Sequence, residues 1–176
     1  MGEKIVTLIP QFEIEQKIAE LGEQITKDYV GKDIFLICVL KGSFMFASDL
    51  MKHLPPATEI DFMDVSSYGR GKESSANISL LLDLQEPIED RHVIIIEDIA
   101  DTGRSIAFIK KQLAGRGYAS LKLCTLLDKP TARLVENIIP DYVGFTIPEK
   151  FVVGYGLDFG QKYRGLPYVG YLEFEG

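Results

Sequence analysis

Two adjacent acids, Glu97 and Asp98, follow four apolar residues in the stretch VIIIEDIADTGRSI at 93–106. A third acid, Asp101, comes next, ahead of Thr102, Gly103, Arg104 and Ser105. Ionised carboxylates only accept hydrogen bonds, so they suit hydroxyls or a cation and repel a phosphate. The turn behind them has the opposite chemistry. DTGRS opens a helix, where unpaired N–H groups and the positive end of the macrodipole face outward. Gly103 lets the backbone approach a ligand, and the hydroxyls of Thr102 and Ser105 add donors. Together these make a cup for a monophosphate. A sugar phosphate with a vicinal diol satisfies both halves. Solvation and helix capping explain a single acid at a strand exit, but not three acids with Thr, Gly, Arg and Ser in the nine positions 97–105.

Rival motifs fail on specifics. A nucleotide P-loop needs GxxxxGK[ST], which the chain lacks. GRSIA has a faint likeness to the GxSxG nucleophile elbow, which places its histidine after the serine. Both histidines, His53 and His92, precede Ser105. A phosphoacceptor receiver domain carries its acidic pair on the first strand, whereas Glu97–Asp98 lies past the middle. No Cys/His spacing suits zinc.

The elements that must hold these residues alternate. Ile14, Ile18, Leu21 and Ile25 recur at helical spacing, predicting a helix over 11–28. IFLICVL (34–40) is an apolar strand, followed by a tight KGS turn and a helix through 43–53. Residues 60–68 alternate as a strand, and NISLLLD (77–83) is another. The strand VIIIE (93–97) leads into a helix with Ile106, Ile109 and Leu113 on its apolar face. LKLCTLL (121–127) is a strand, then a short helix near 131–137, then YVGFTI (142–147). Continuous apolar strands alternating with helices imply an α/β fold with a mainly parallel sheet covered on both faces. Such sheets bind ligands beyond the carboxyl ends of their strands, which selects the loops after 40, 98 and 127. The Gly- and Tyr-rich C-terminal third predicts a cap of short strands and loops.

Composition bounds the rest. A chain of 176 residues argues for one domain, 1–176, that removes about 70% of its unfolded surface from water. It is 46% hydrophobic and 26% charged, ordinary for a globular protein. Nineteen basic against twenty-six acidic side chains give −7. That opposes a nucleic-acid footprint or an anionic-membrane surface, so any positive field must be local. Cys38 and Cys124 lie inside apolar runs and read as buried thiols. MGEKIVTLIP lacks the layout of a secretory signal and fails the myristoylation pattern. No apolar run approaches a membrane span, so a cytoplasmic location is expected.

VIIIEDIADTGRSI resembles the phosphoribosyl-diphosphate (PRPP) signature of the type I phosphoribosyltransferases. Three further stretches, LKGS (40–43), SSYGRGKESS (66–75) and FVVGYGLDFGQKYRGLPYVG (151–170), are similar in order and spacing to the hypoxanthine-guanine phosphoribosyltransferase family. The C-terminal stretch carries the purine-salvage assignment. The resemblance implies the type I phosphoribosyltransferase fold: a central sheet flanked by helices, a small hood built from the termini, and a flexible lid loop.

It also implies roles. Glu97 and Asp98 hold the ribose hydroxyls and help place Mg²⁺. Asp101 to Ser105 (Asp101, Thr102, Gly103, Arg104, Ser105) cradle the 5′-phosphate, and Asp101 serves as proton acceptor near the purine N7. Arg104 stands where relatives carry an aliphatic residue or lysine. Lys41, Gly42 and Arg164 match pyrophosphate ligands; read alone, Lys41 is a solvated lysine after a strand. For the base, Lys129 donates to the 6-oxo group, Phe151 stacks on the ring and Val152 offers backbone contacts. Asp158 lies near the base and a second magnesium. Ser66, Ser67 and Tyr68 begin the lid, which with two glycines and little apolar content also reads simply as a mobile hairpin. The implied reaction is Mg²⁺-dependent transfer of the 5-phosphoribosyl group from PRPP to a 6-oxopurine, giving IMP or GMP. The alternative is a regulator of the same fold that binds PRPP or nucleotide without turnover. Family members usually self-associate, implying a dimer or tetramer.

Overall fold

The computed structural model describes residues 3–68 and 77–174. A six-stranded sheet runs in the order β4-β3-β2-β5-β6-β7. Its strands are β2 (Ile34–Leu40), β3 (Glu59–Tyr68), β4 (Asn77–Leu82), β5 (His92–Ala100), β6 (Ser120–Asp128) and β7 (Tyr142–Thr146). All neighbours pair in parallel except β3 with β4. A smaller antiparallel sheet, β1-β9-β8, joins β1 (Glu3–Ile9) and β9 (Val169–Phe174) to β8 (Val152–Val153). It forms the expected hood.

Alternation along β2 and β5 explains the layering. Leu36, Cys38, Ile94 and Ile96 face helices α1 (Gln11–Asp28) and α2 (Phe44–Met51) together with the hood. Phe35, Ile37, Val93 and Ile95 face α3 (Arg104–Leu113). Ile94, Ile95 and Ile96 are fully buried. Each such side chain contributes roughly 1.5–3 kcal/mol by leaving water, which makes β5 the spine of the molecule. α1 presents Ile14, Ile18, Leu21 and Ile25 to the core, as its spacing predicts.

Three expectations need correction. β5 does not stop at the acids: it stays paired with β6 through Ile99 and Ala100, opposite Leu127 and Asp128. The helix expected over 43–53 runs only from Phe44 to Met51, with Ser43 at its N-cap and the Ser43 hydroxyl donating to the Val39 carbonyl. The helix expected near 131–137 is only a 3-10 turn, Pro130–Ala132. Beyond it, the N–H groups of Leu134 and Val135 donate to the carbonyl of Thr102 rather than along a helix, at 3.0 and 3.2 Å. Ser66, Ser67 and Tyr68 end β3; the rest of the expected lid, 69–76, lies outside the described residues. No helix among the described residues is long and apolar enough to cross a membrane.

Candidate active site

β2 leads to β3 on one side of the sheet while β5 leads to β6 on the other, so the chain changes direction between the neighbours β2 and β5. The carboxyl ends of these two strands therefore bracket the crevice where open α/β sheets take ligands. The loop 41–43 and the turn 101–103 emerge there side by side. The loop after β2 touches the paired acids: a Cβ on Gly42 would overlap the Asp98 carboxylate, so only glycine lets the loop meet the end of β5 in this way. The peptide bond between Leu40 and Lys41 is cis.

Glu97 is buried and Asp98 half-buried. Burial pushes the Glu97 carboxyl well above the usual range, and the negative charge of Asp98 adds to the push. Asp98 is itself raised to about 6, chiefly by burial. Hydrogen bonding from the Ile99 N–H at 2.8 Å and the positive charge of Arg164 moderate that rise. Two adjacent carboxyls of this kind titrate as a unit, and burial favours the protonated form.

Beyond the pair, Glu97, Asp98, Ile99, Asp101, Thr102, Gly103, Ser105 and Ile106 line a cavity of about 280 Å³. The paired acids and the turn before α3 thus share one space. Gly103 takes φ +84° immediately before α3, the left-handed conformation that glycine adopts at least cost. Arg104, whose N–H lies 3.4 Å from the Thr102 hydroxyl, is exposed and begins α3 without lining that cavity.

At the end of β6 Lys129 is buried, with 7% of its surface exposed. Its N–H donates to the Ala100 carbonyl at 2.9 Å, which ties the lysine to the end of β5. Its Nζ lies 4.0 Å from Oδ2 of Asp101, whose side chain is about half exposed. That separation exceeds a hydrogen bond. A ligand edge with an acceptor for Lys129 and an N–H for Asp101 satisfies both groups at once.

The segment leading out of the hood closes the opposite wall. A Cβ on Gly156 would overlap the Gly42 carbonyl, so this segment packs against the loop after β2. Arg164 donates to the Gly156 carbonyl at 2.7 Å and pairs with Asp158 at 3.1 Å. The other oxygen of Asp158 accepts the Gln161 N–H at 2.7 Å. Val152 is buried in β8, while Phe151 is 60% exposed and meets Phe159 edge to face at 5.7 Å. Lys41 is exposed beside Gly42.

The structure thus gathers Gly42, Glu97, Asp98, Asp101, Thr102, Gly103, Ser105, Lys129 and Arg164 around one crevice. It does not gather Glu97, Asp98 and Asp158 into a ligand cage: among the described residues no three His, Cys, Asp or Glu side chains form a metal-binding group. Sequence reasoning missed Gly156, Phe159 and the ion pair of Asp128 with Arg133. GYG in the hood and DKPTAR after β6 were the available signals, but neither indicates its distant partner.

Comparison with known proteins agrees with this geometry. The family model described as the phosphoribosyl transferase domain matches residues 9–160. The chain is similar to the hypoxanthine-guanine phosphoribosyltransferase of Streptococcus thermophilus, with 49% identity over 96% of this chain and 93% of that one. It is 45% identical to the hypoxanthine phosphoribosyltransferase of Escherichia coli over 97% of this chain and 96% of the relative. Among solved structures, a hypoxanthine-guanine phosphoribosyltransferase from Bacillus anthracis superposes with a TM-score of 0.90 at 41% identity, covering 98% of this chain and all (100%) of that one.

Proposed function

The chain belongs to the phosphoribosyltransferase family, and from that premise we propose how its residues divide the work of purine salvage. The protein is a hypoxanthine phosphoribosyltransferase: it transfers the 5-phosphoribosyl group of PRPP to hypoxanthine, giving IMP and pyrophosphate. We extend the substrates to guanine, which shares the 6-oxo group that Lys129 would recognise.

In this reading Glu97 and Asp98 accept the ribose hydroxyls, and the turn Asp101–Ser105 donates to the 5′-phosphate. Lys41, the Gly42 backbone and Arg164 hold the pyrophosphate. The Lys129 ammonium donates to the purine 6-oxo oxygen, Phe151 stacks on the ring and Val152 offers backbone groups. Attack by N9 on C1 of the ribose leaves a proton to shed, and the Asp101 carboxylate accepts it. Charge gathers on the departing pyrophosphate, so the cations of Lys41 and Arg164 count most in the transition state.

Magnesium fits the donor set. Glu97 and Asp98 offer hard carboxylate oxygens, and Mg²⁺ is usually held by one or two carboxylates plus substrate phosphates rather than by a full protein cage. Bound there, it would neutralise charge on the diphosphate. Asp158, already engaged by Arg164 and Gln161, would reach a cation through water. A cytoplasmic location, a single domain and self-association into a dimer or tetramer complete the proposal.

One observation carries the division of roles: a paired-acid wall and a hydroxyl-bearing, glycine-containing turn share a single cavity. The test is pyrophosphate release on mixing the protein with PRPP, Mg²⁺ and hypoxanthine. Steady release with IMP formation is expected; PRPP binding without release would favour a non-catalytic regulator.

A further inference from the structure

We propose that Arg133 is a positioning residue that holds the 5′-phosphate turn in its binding shape and ties it to the strand end bearing Lys129. The inference rests on the reading of 101–105 as the phosphate site. Three observations carry it. First, the chain after Pro130–Ala132 abandons helical bonding to place the N–H groups of Leu134 and Val135 on the Thr102 carbonyl. Second, Gly103 lies on a floor made by Arg133 and Ile138: a Cβ there would come within 3.1 Å of Arg133 Cδ and 3.2 Å of Ile138 Cβ. Third, the Arg133 guanidinium pairs with Asp128, both side chains being nearly buried at 11% and 13% exposure. Asp128 ends β6 and precedes Lys129 directly.

An aliphatic side chain would build the same floor without burying two charges, and such replacements are often neutral or stabilising. The ion pair is therefore not explained by stability. Moreover, Nη1 of Arg133 is buried and has no hydrogen-bond partner among the described residues, so the guanidinium is held in place despite an unsatisfied donor. What a guanidinium adds is direction. The planar guanidinium, held on Asp128 through Nη2, fixes the alkyl stem beneath Gly103, and that stem sets where the N–H groups at the start of α3 point.

The test compares the native protein with R133K, R133M and the double variant R133M/D128N. PRPP affinity is measured by calorimetry with Mg²⁺, kcat at saturating substrates, and thermal stability separately. Failure of the native protein to bind PRPP would refute the functional reading itself; the variants address only Arg133. R133M leaves Asp128 buried and alone and should lose stability, whereas the double variant should recover it. Even so, the double variant should bind PRPP about tenfold more weakly, with kcat changed less than about threefold. R133K, which keeps charge without the planar guanidinium, should fall between. PRPP affinity within about twofold of native in the double variant would overturn the proposal, because the pair would then be a structural filler. If R133M does not fold, the double variant and R133K still decide the matter.

Discussion

Asp101 carries the proton chemistry in this account, and its surroundings suit the task. Its carboxylate is half open to solvent, 4.0 Å from the buried Lys129 ammonium and beside the phosphate turn. Asp101→Asn should keep the fold and most of the PRPP affinity while lowering turnover roughly 10²–10⁴-fold, the usual range for losing a general base. Steady-state rates with hypoxanthine and guanine, beside PRPP titrations, check this; near-native turnover would remove Asp101 from the chemistry. Lys129→Ala should instead cost most of the kcat/KM for either base while changing PRPP binding little, since the proposed partner of the ammonium is the purine 6-oxo group. Glu97 and Asp98 make a separate prediction for the protein without ligand or magnesium. Their folded values are raised, Asp98 to about 6 and Glu97 well above its usual range. Their contribution to stability is thus full below the unfolded carboxylate value of about 4 and is lost as pH rises through the folded values. The stability advantage of the native protein over Glu97→Gln should therefore shrink from acid to neutral pH. A thermal-unfolding series that shows the gap widening with pH would mean the pair is not strained by its burial.

Among the elements, the loop after β2 depends on two glycine contacts. A Cβ at Gly42 would enter the space of the Asp98 carboxylate, and one at Gly156 would meet the Gly42 carbonyl. Gly42→Ala must therefore displace either the loop or the acid. A shift of about 1 Å in a positioned site can cost 10²-fold, and a loss of that order in kcat/KM for PRPP is expected. An unchanged value would show that this contact does not set the pyrophosphate site. The elements themselves were mostly readable. Helix α1 and strand β2 match their expected spans because their apolar periodicities are unbroken. β5 was read short because charged residues look like a strand exit, yet its ladder to β6 continues past them. The missing helix near 131–137 shows the limit more clearly. Local spacing cannot reveal that Leu134 and Val135 spend their N–H groups on Thr102, some thirty positions away. At the site, the phosphate turn and the paired acids were legible because they are contiguous. Burial of Lys129 beside a proline, and Arg133 beneath Gly103, were not, since both depend on strands meeting from distant parts of the chain.

For the molecule as a whole, the proposed roles put one kind of recognition on each strand end. β5 brings acids and the phosphate turn, β2 brings the loop that touches them, and β6 brings the buried lysine. The segment leading out of the hood packs on the loop after β2 through Gly156, whose carbonyl accepts from Arg164. A net charge of −7 leaves no broad positive field, so attraction for PRPP must come from these converging groups rather than from the surface. In the proposed base site the same convergence sets the choice of base. An ammonium offers donors only, so it matches a carbonyl oxygen at the purine 6-position and meets an amino group donor to donor. A buried polar group left unpaired in that way discriminates by about 10⁴-fold in favourable cases. The most direct measurement is kcat/KM of the native protein for adenine, hypoxanthine, guanine and xanthine, assayed side by side with PRPP and Mg²⁺. Hypoxanthine should exceed adenine by three to four orders of magnitude, on the order expected for an unpaired buried donor; adenine as an equal or better substrate would contradict the role of Lys129 and the proposed base site.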